Sequence, residues 1–171
     1  NLNINADKPS PVTAGAEIEF TAIVNNSDNF PTIPTSVSFT LPKTVKFLGF
    51  DVDADIFSAC TPVLPIGQEL TDDTTITCEV RALAPQESVQ AKIRLSPQEE
   101  GVVVFNGKIA ENGTDQSRTI TVNKGADLAV SLSAPTEVKG GGKLNFTATV
   151  ENQGPYASQK STLTFPVPVG V

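Results

Sequence analysis

Ile18-Glu-Phe-Thr-Ala-Ile-Val-Asn-Asn26 sets an apolar side chain at positions 18, 20, 22 and 24, with Glu19 and Thr21 between them. A period of two marks an extended strand with one buried face, because successive side chains leave opposite sides of the pleat. The same period runs through Val37, Phe39 and Leu41, through Ile76, Cys78 and Val80, and through Val89, Ala91, Ile93 and Leu95. Turn-forming clusters separate these runs: Asn25 to Asn29, Pro62 to Gly67, Ala84-Pro-Gln86, Ser96-Pro97 and Asn112-Gly113. Pro and Gly, 13 and 12 residues in all, gather there and not at strand centres. No stretch sustains a 3.6-residue period between helix caps. The chain reads as all-β, with a buried stripe of Ile18, Phe20, Ala22, Val24, Val37, Phe39, Leu41, Ile76, Val80, Val89, Ala91 and Ile93.

The opening stretch occurs twice. Leu144-Asn-Phe-Thr-Ala-Thr-Val-Glu-Asn152 repeats it 126 positions later, and Leu2, Ile4, Pro9, Val12 and Gly15 recur as Leu128, Val130, Pro135, Val138 and Gly141. Further on the offset becomes 124, with Leu41-Pro42 matched by Phe165-Pro166 and Val45 by Val169. The two-residue slip falls in the Asn25 to Thr35 loop, where insertions cost least. One module is therefore expected over residues 1–123, a hinge at 124–126, and the N-terminal part of a second copy over 127–171. The first module has room for some seven to nine short strands. The second copy holds strands around Leu128 to Leu132, Lys143 to Glu151 and Ser161 to Phe165, too little for a closed core.

These repeated residues resemble a conserved-repeat domain of unknown function that stands in tandem on large exported bacterial and archaeal proteins. The resemblance rests on Asp127-Leu-Ala-Val130 and on Gly142-Lys-Leu-Asn-Phe-Thr-Ala-Thr-Val-Glu-Asn-Gln-Gly-Pro155. In the first module it rests on Leu41-Pro42, Cys60-Thr61, Cys78 and Leu83-Ala-Pro-Gln-Glu-Ser88. The first module departs at Asn26-Ser-Asp-Asn-Phe-Pro31, where the family prefers Asn-x-Gly-Pro. The resemblance implies an immunoglobulin-like Greek-key sandwich with a surface role, and it carries no catalytic residues.

Composition narrows the function. The 171 residues hold 12 Lys+Arg against 19 Asp+Glu, a net charge of −7, and no His, Met or Trp. Without His the usual general base, nucleophile activator and zinc ligand are all missing. An acidic surface repels phosphates, so nucleic acid is not an expected partner. No run of about 18 apolar residues is present to insert this segment into a membrane. Asn1 follows no charged and apolar leader, so any signal peptide is expected to be already gone.

Cys60 and Cys78 are the only cysteines. In a reducing cytosol they would be free thiols, and in an exported chain one disulfide. Parity with Ile76 and Val80 turns Cys78 inward, while Phe57-Ser-Ala-Cys-Thr-Pro62 reads as a loop. A Cys60–Cys78 bridge stapling that loop to the core is expected, worth about 3 kcal/mol on the chain-entropy model. With it comes a secreted or cell-surface location.

Other motifs have plainer readings beside their functional ones. Asp51, Asp53 and Asp55 alternate, with Asp72-Asp73 elsewhere, and form a candidate Ca²⁺ set through hard oxygen ligands. An EF-hand fails because Ile56 and Pro62 stand at its glycine and glutamate positions, and a solvated face is the plainer reading. No other cofactor is suggested. Leu41-Pro-Lys-Thr44 imitates a sortase signal but lacks the following Gly and reads better as a strand end. Asn25, Asn112 and Asn145 begin Asn-x-Ser/Thr triplets of the kind chance supplies in an Asn- and Thr-rich chain. Lys92 and Lys108 could enter isopeptide crosslinks, yet their neighbours predict outward-pointing side chains. Nothing pins two carboxylates into one cleft, so no enzyme is expected. The expected function is structural: a stalk, adhesin spacer or filament subunit whose partners are other copies of the repeat or neighbouring subunits. The alternative is a module that recognises a glycan or a partner protein through its loops; sugar platforms usually need Trp or Tyr, and Tyr156 is the only one.

Overall fold

A computed structural model describes residues 1–137, 139–154, 158 and 161–166. Val138, Pro155, Tyr156 and Val169, named above, lie outside the described residues. The chain divides into two compact units, Asn1–Asn123 and a second that begins at Lys124.

Among the described residues the first unit is built from eleven strands: β1 (Leu2–Ala6), β2 (Val12–Thr13), β3 (Ile18–Asn25), β4 (Thr35–Leu41), β5 (Val45–Val52), β6 (Phe57–Thr61), β7 (Glu69–Leu70), β8 (Thr74–Val80), β9 (Ser88–Pro97), β10 (Gly101–Ile109) and β11 (Asp115–Asn123). They form two sheets, ordered β1-β3-β9-β5-β7 and β2-β11-β10-β4-β8-β6. This is an all-β, immunoglobulin-like sandwich. The strand count exceeds the seven to nine expected because β2 and β7 are two-residue pieces with no alternation to show.

All twelve residues of the anticipated stripe are buried. β3 alternates buried and half-buried side chains along its whole length and pairs antiparallel with β9, Phe20 opposite Ile93 and Ala22 opposite Ala91. Across the interior Phe20 stacks on Phe105, ring centroids 4.8 Å apart, and Phe105 lies 6.3 Å from Phe39. One aromatic column thus ties the first sheet to the second. Gly107 continues the inward face of β10 toward β1, where an added Cβ would sit 3.1 Å from Ile4 and 3.2 Å from Leu2.

The stripe also misses residues. Val103, Phe105, Ile120 and Val122 are buried on β10 and β11, as are Val45 and Phe47 on β5. Val102-Val-Val-Phe105 is a continuous apolar run, so its parity is invisible until Val102 and Val104 are seen on the outer face. On β5 the register against β9 shifts between Phe47 and Gly49 and breaks the period.

The second unit holds β12 (Leu128–Ser133) paired antiparallel with β13 (Thr147–Asn152). The expected strand at Lys143 starts four residues later, and residues 161–166 form none. The physical reason for the latter is a lack of neighbours. In the first unit β4, their repeat counterpart, is held by β8 on one side and β10 on the other. Positions corresponding to those strands do not occur in the 171 residues.

Phe20→Ala removes the ring that bridges the sheets and leaves a cavity. It is expected to cost about 3–5 kcal/mol in denaturant melts; a loss below about 1 kcal/mol would contradict this packing.

Candidate functional site

Each anticipated site residue has a definite place. Cys60 and Cys78 are disulfide-bonded, with an S–S distance of 2.06 Å. Cys60 is not in a loop, however: it lies on β6, the edge strand beside β8. The pairing of β6 with β8 is irregular between Ser58 and Thr61, and Ala59 takes a φ of 47°. That irregularity erases the alternation by which sequence reveals a strand. The bridge therefore pins an edge strand to its neighbour.

The alternating acids do not assemble into an ion cage. Asp51 pairs with Arg94 Nη2 at 3.3 Å. Asp53 Oδ1 accepts the N–H of Asp55 at 2.9 Å, and its carbonyl accepts from Ile56 and Phe57, closing the turn into β6. Asp73 accepts the N–H of Lys43 at 2.8 Å, and Asp72 accepts the Thr71 hydroxyl. Among the described residues no three acids or cysteines converge as a metal set. Leu41 is buried at the end of β4, and Thr44, at φ 62°, turns the chain into β5. Lys92 pairs with Glu19 at 3.1 Å and Lys108 is exposed, so neither is buried beside an Asn. Asn112 Oδ1 accepts the N–H of Thr114 in the β10–β11 hairpin, Asn25 ends β3, and Asn145 is exposed before β13.

The residue that organises one end of the sandwich is Asn26, whose role the sequence leaves unmarked. It is buried at the end of β3. Its Nδ2 donates to the carbonyls of Phe30, Leu83 and Ala84 at 2.8, 3.2 and 2.9 Å, and its Oδ1 accepts the N–H of Asp28 at 3.1 Å. One buried amide thereby joins two loops while its own polar atoms are satisfied. The only signal available was position: Asn152 is its counterpart, and Asn152 Oδ1 accepts the N–H of Gly154 at 3.0 Å, the same turn built again.

Arg81 and Glu87 brace the loop below. Arg81 Nη2 lies 2.6 Å from Glu87 Oε1, and Glu87 Oε2 accepts the N–H of Ala84 at 2.7 Å. The Arg81 hydrogen bond, then the Ala84 one, hold the Glu87 carboxyl below its ordinary value of 4.5. Because the folded form is the stronger acid, its contribution is present at neutral pH and fades as pH falls through the depressed value. Beside these loops a groove of ≈ 730 Å³ is lined by Asn1, Asn25 to Ile33, Glu111 and Asn112, with Phe30 and Ile33 exposed on it.

No family model matches the sequence, and no curated protein matches it. Solved structures do. The chain is similar to BcpA, the major pilin subunit of Bacillus cereus, at 10% identity over 91% of this chain and 56% of that one, with a TM-score of 0.51. It is also similar to the seventh ScaB type I cohesin of Pseudobacteroides cellulosolvens, at 14% identity over 80% of this chain and 96% of that one, TM-score 0.48. A third is the collagen-binding domain of a Staphylococcus aureus adhesin, at 10% identity over 70% and 96%, TM-score 0.46. At 10% identity the likeness to BcpA speaks for the fold alone, and the other two, with TM-scores under 0.5, add nothing to it.

Asn26→Ala would remove the amide that joins the two loops, taking the side-chain donor from Phe30 O and one of two donors each from Leu83 O and Ala84 O, which keep the N–H groups of Thr32 and Glu87. A loss of about 2–4 kcal/mol in stability is expected from equilibrium unfolding, and a loss under about 0.5 kcal/mol would show that water replaces the amide at no cost.

Proposed function

We propose that the chain is a non-enzymatic structural module of an exported surface protein, a stalk, adhesin spacer or filament subunit, in which the repeat of the surface family stands in tandem. The observation that supports this reading is how the two ends of the first unit are joined. β2, near the entering end, pairs parallel with β11, the leaving strand, with Val12 opposite Val122 and Thr13 opposite Asn123. Ala14 N–H donates to Asn123 O at 3.0 Å, and Thr121 N–H to Ser10 Oγ at 2.9 Å. Tension applied between the ends pulls two parallel strands past each other, so these bonds share the force instead of opening one at a time. The disulfide at the opposite edge secures a strand whose own pairing is irregular. Acidic surface charge keeps repeated modules soluble and apart.

A second reading, recognition of a glycan or protein through the loops, has support in the groove with exposed Phe30 and Ile33. Binding of such a ligand that Phe30→Ala abolishes would favour it.

Single-molecule stretching between the ends of the first unit tests the structural reading. Rupture as one high-force event is expected, with a lower force for Ala14→Pro, which deletes the bond to Asn123. Unfolding at low force, or a force that A14P leaves unchanged, would count against a tension-bearing role.

A further inference from the structure

The connection from β6 to β7 reads Pro62-Val-Leu-Pro-Ile-Gly67, and from Cys60 to Gln68 the chain carries no charged residue. Val63 is 87% exposed and Ile66 77%. The loop is nonetheless held at both ends. Before it, Cys60 is bridged to Cys78. After it, Gly67 N–H donates to Phe47 O and Phe47 N–H to Gln68 O, each at 2.7 Å, and Gln68 N–H donates to Pro65 O at 3.2 Å. Two prolines fix their own φ between these anchors. Two apolar side chains are thus presented to solvent on a fixed frame, and little ordering entropy opposes their use in a contact.

A cavity of ≈ 260 Å³ opens beside them, at the side of the sandwich where β5 and β7 edge one sheet and β6 edges the other. Phe47, Phe50, Leu64 and Ile76 give it an apolar lining, and Val63 and Ile66 form its exposed lip. Its one cation, Arg94, lies 3.3 Å from its one carboxylate, Asp51, so the lining carries no net charge.

We propose that this patch is a contact surface between two copies of the chain, each placing its Val63 and Ile66 in the other's cavity about a two-fold axis. Three observations select a second copy as the occupant. Knob and hole lie side by side on one surface, so a single two-fold rotation brings each knob to the facing hole. A net charge of −7 keeps copies apart where charge is exposed, and this patch has none to repel with. The area is roughly 300–400 Å² per copy, against the ~800 Å² a standard interface takes from each partner, which fits a reversible contact between like modules. β6 is the edge of its sheet farthest from β2 and β11, so the contact is lateral and leaves the joined ends of each first unit clear. The inference goes beyond the stalk reading and does not depend on it.

Sedimentation velocity on the intact chain is the test, with amide NMR shifts recorded over the same dilution series. Between about 20 µM and about 1 mM a monomer–dimer equilibrium with a Kd on the order of 0.1 mM is expected. The amides of Val63, Ile66 and Phe50 should shift with concentration. Val63→Asp and Ile66→Asp should each raise the Kd at least about tenfold; both side chains are exposed, so the fold is kept. Phe30→Asp adds the same charge at a distant side chain that is 77% exposed, and it should change the Kd less than about twofold. A chain that stays monomeric at about 1 mM would overturn the proposal. So would an association that V63D and I66D leave intact, or one that F30D weakens as much as they do.

Discussion

Phe20 on Phe105 is the contact on which the first unit depends. The rings stack 4.8 Å apart, one from each sheet, and both are at most 2% exposed. A strand with period-two alternation is stable in water only when its apolar face meets another apolar face. Once β3 and β10 are set face to face, their neighbours follow: β9 beside β3, and β4 and β11 on either side of β10. The rest of the unit trims the edges left by that arrangement. β2 covers β11, and β6 is tied to β8 by the disulfide.

The second unit shows the same constraint unmet. Its hairpin carries the side chains that require a facing sheet, and the register of β12 on β13 differs by two residues from that of β1 on β3. Leu2 pairs with Val24, whereas Val130, the counterpart of Ile4, pairs with Val150. An even slip keeps every apolar side chain on one face, so alternation alone does not forbid it.

Legibility in the sequence followed the regularity of the strands. β3 and β9 could be read because Ile18 to Val24 and Val89 to Leu95 alternate without interruption. β10 was hidden in the apolar run from Val102 to Phe105, and β6 by the distortion at Ala59. Asn26 was beyond reach for a different reason. Its three acceptors come from Phe30, Leu83 and Ala84, and no local pattern announces a partner some 57 positions away. The spacing of Asp51, Asp53 and Asp55 suggested convergence, but Arg94 takes the first from the adjacent strand and the turn takes the second. Alternation states which face a residue occupies; it does not state which charge lies across the sheet.

Residue-resolved hydrogen exchange on the intact chain measures whether cover or local pairing holds these strands. Thr149 of β13 and Ile23 of β3 both sit at hydrogen-bonded positions of a two-strand pair, opposite Ser131 and Asn3, so pairing alone would protect them alike. If the facing sheet is what stabilises the fold, Ile23 exchanges only through unfolding of the whole unit, and Thr149 exchanges through local opening, orders of magnitude faster. Equal protection of the two amides in a monomeric chain would contradict that dependence.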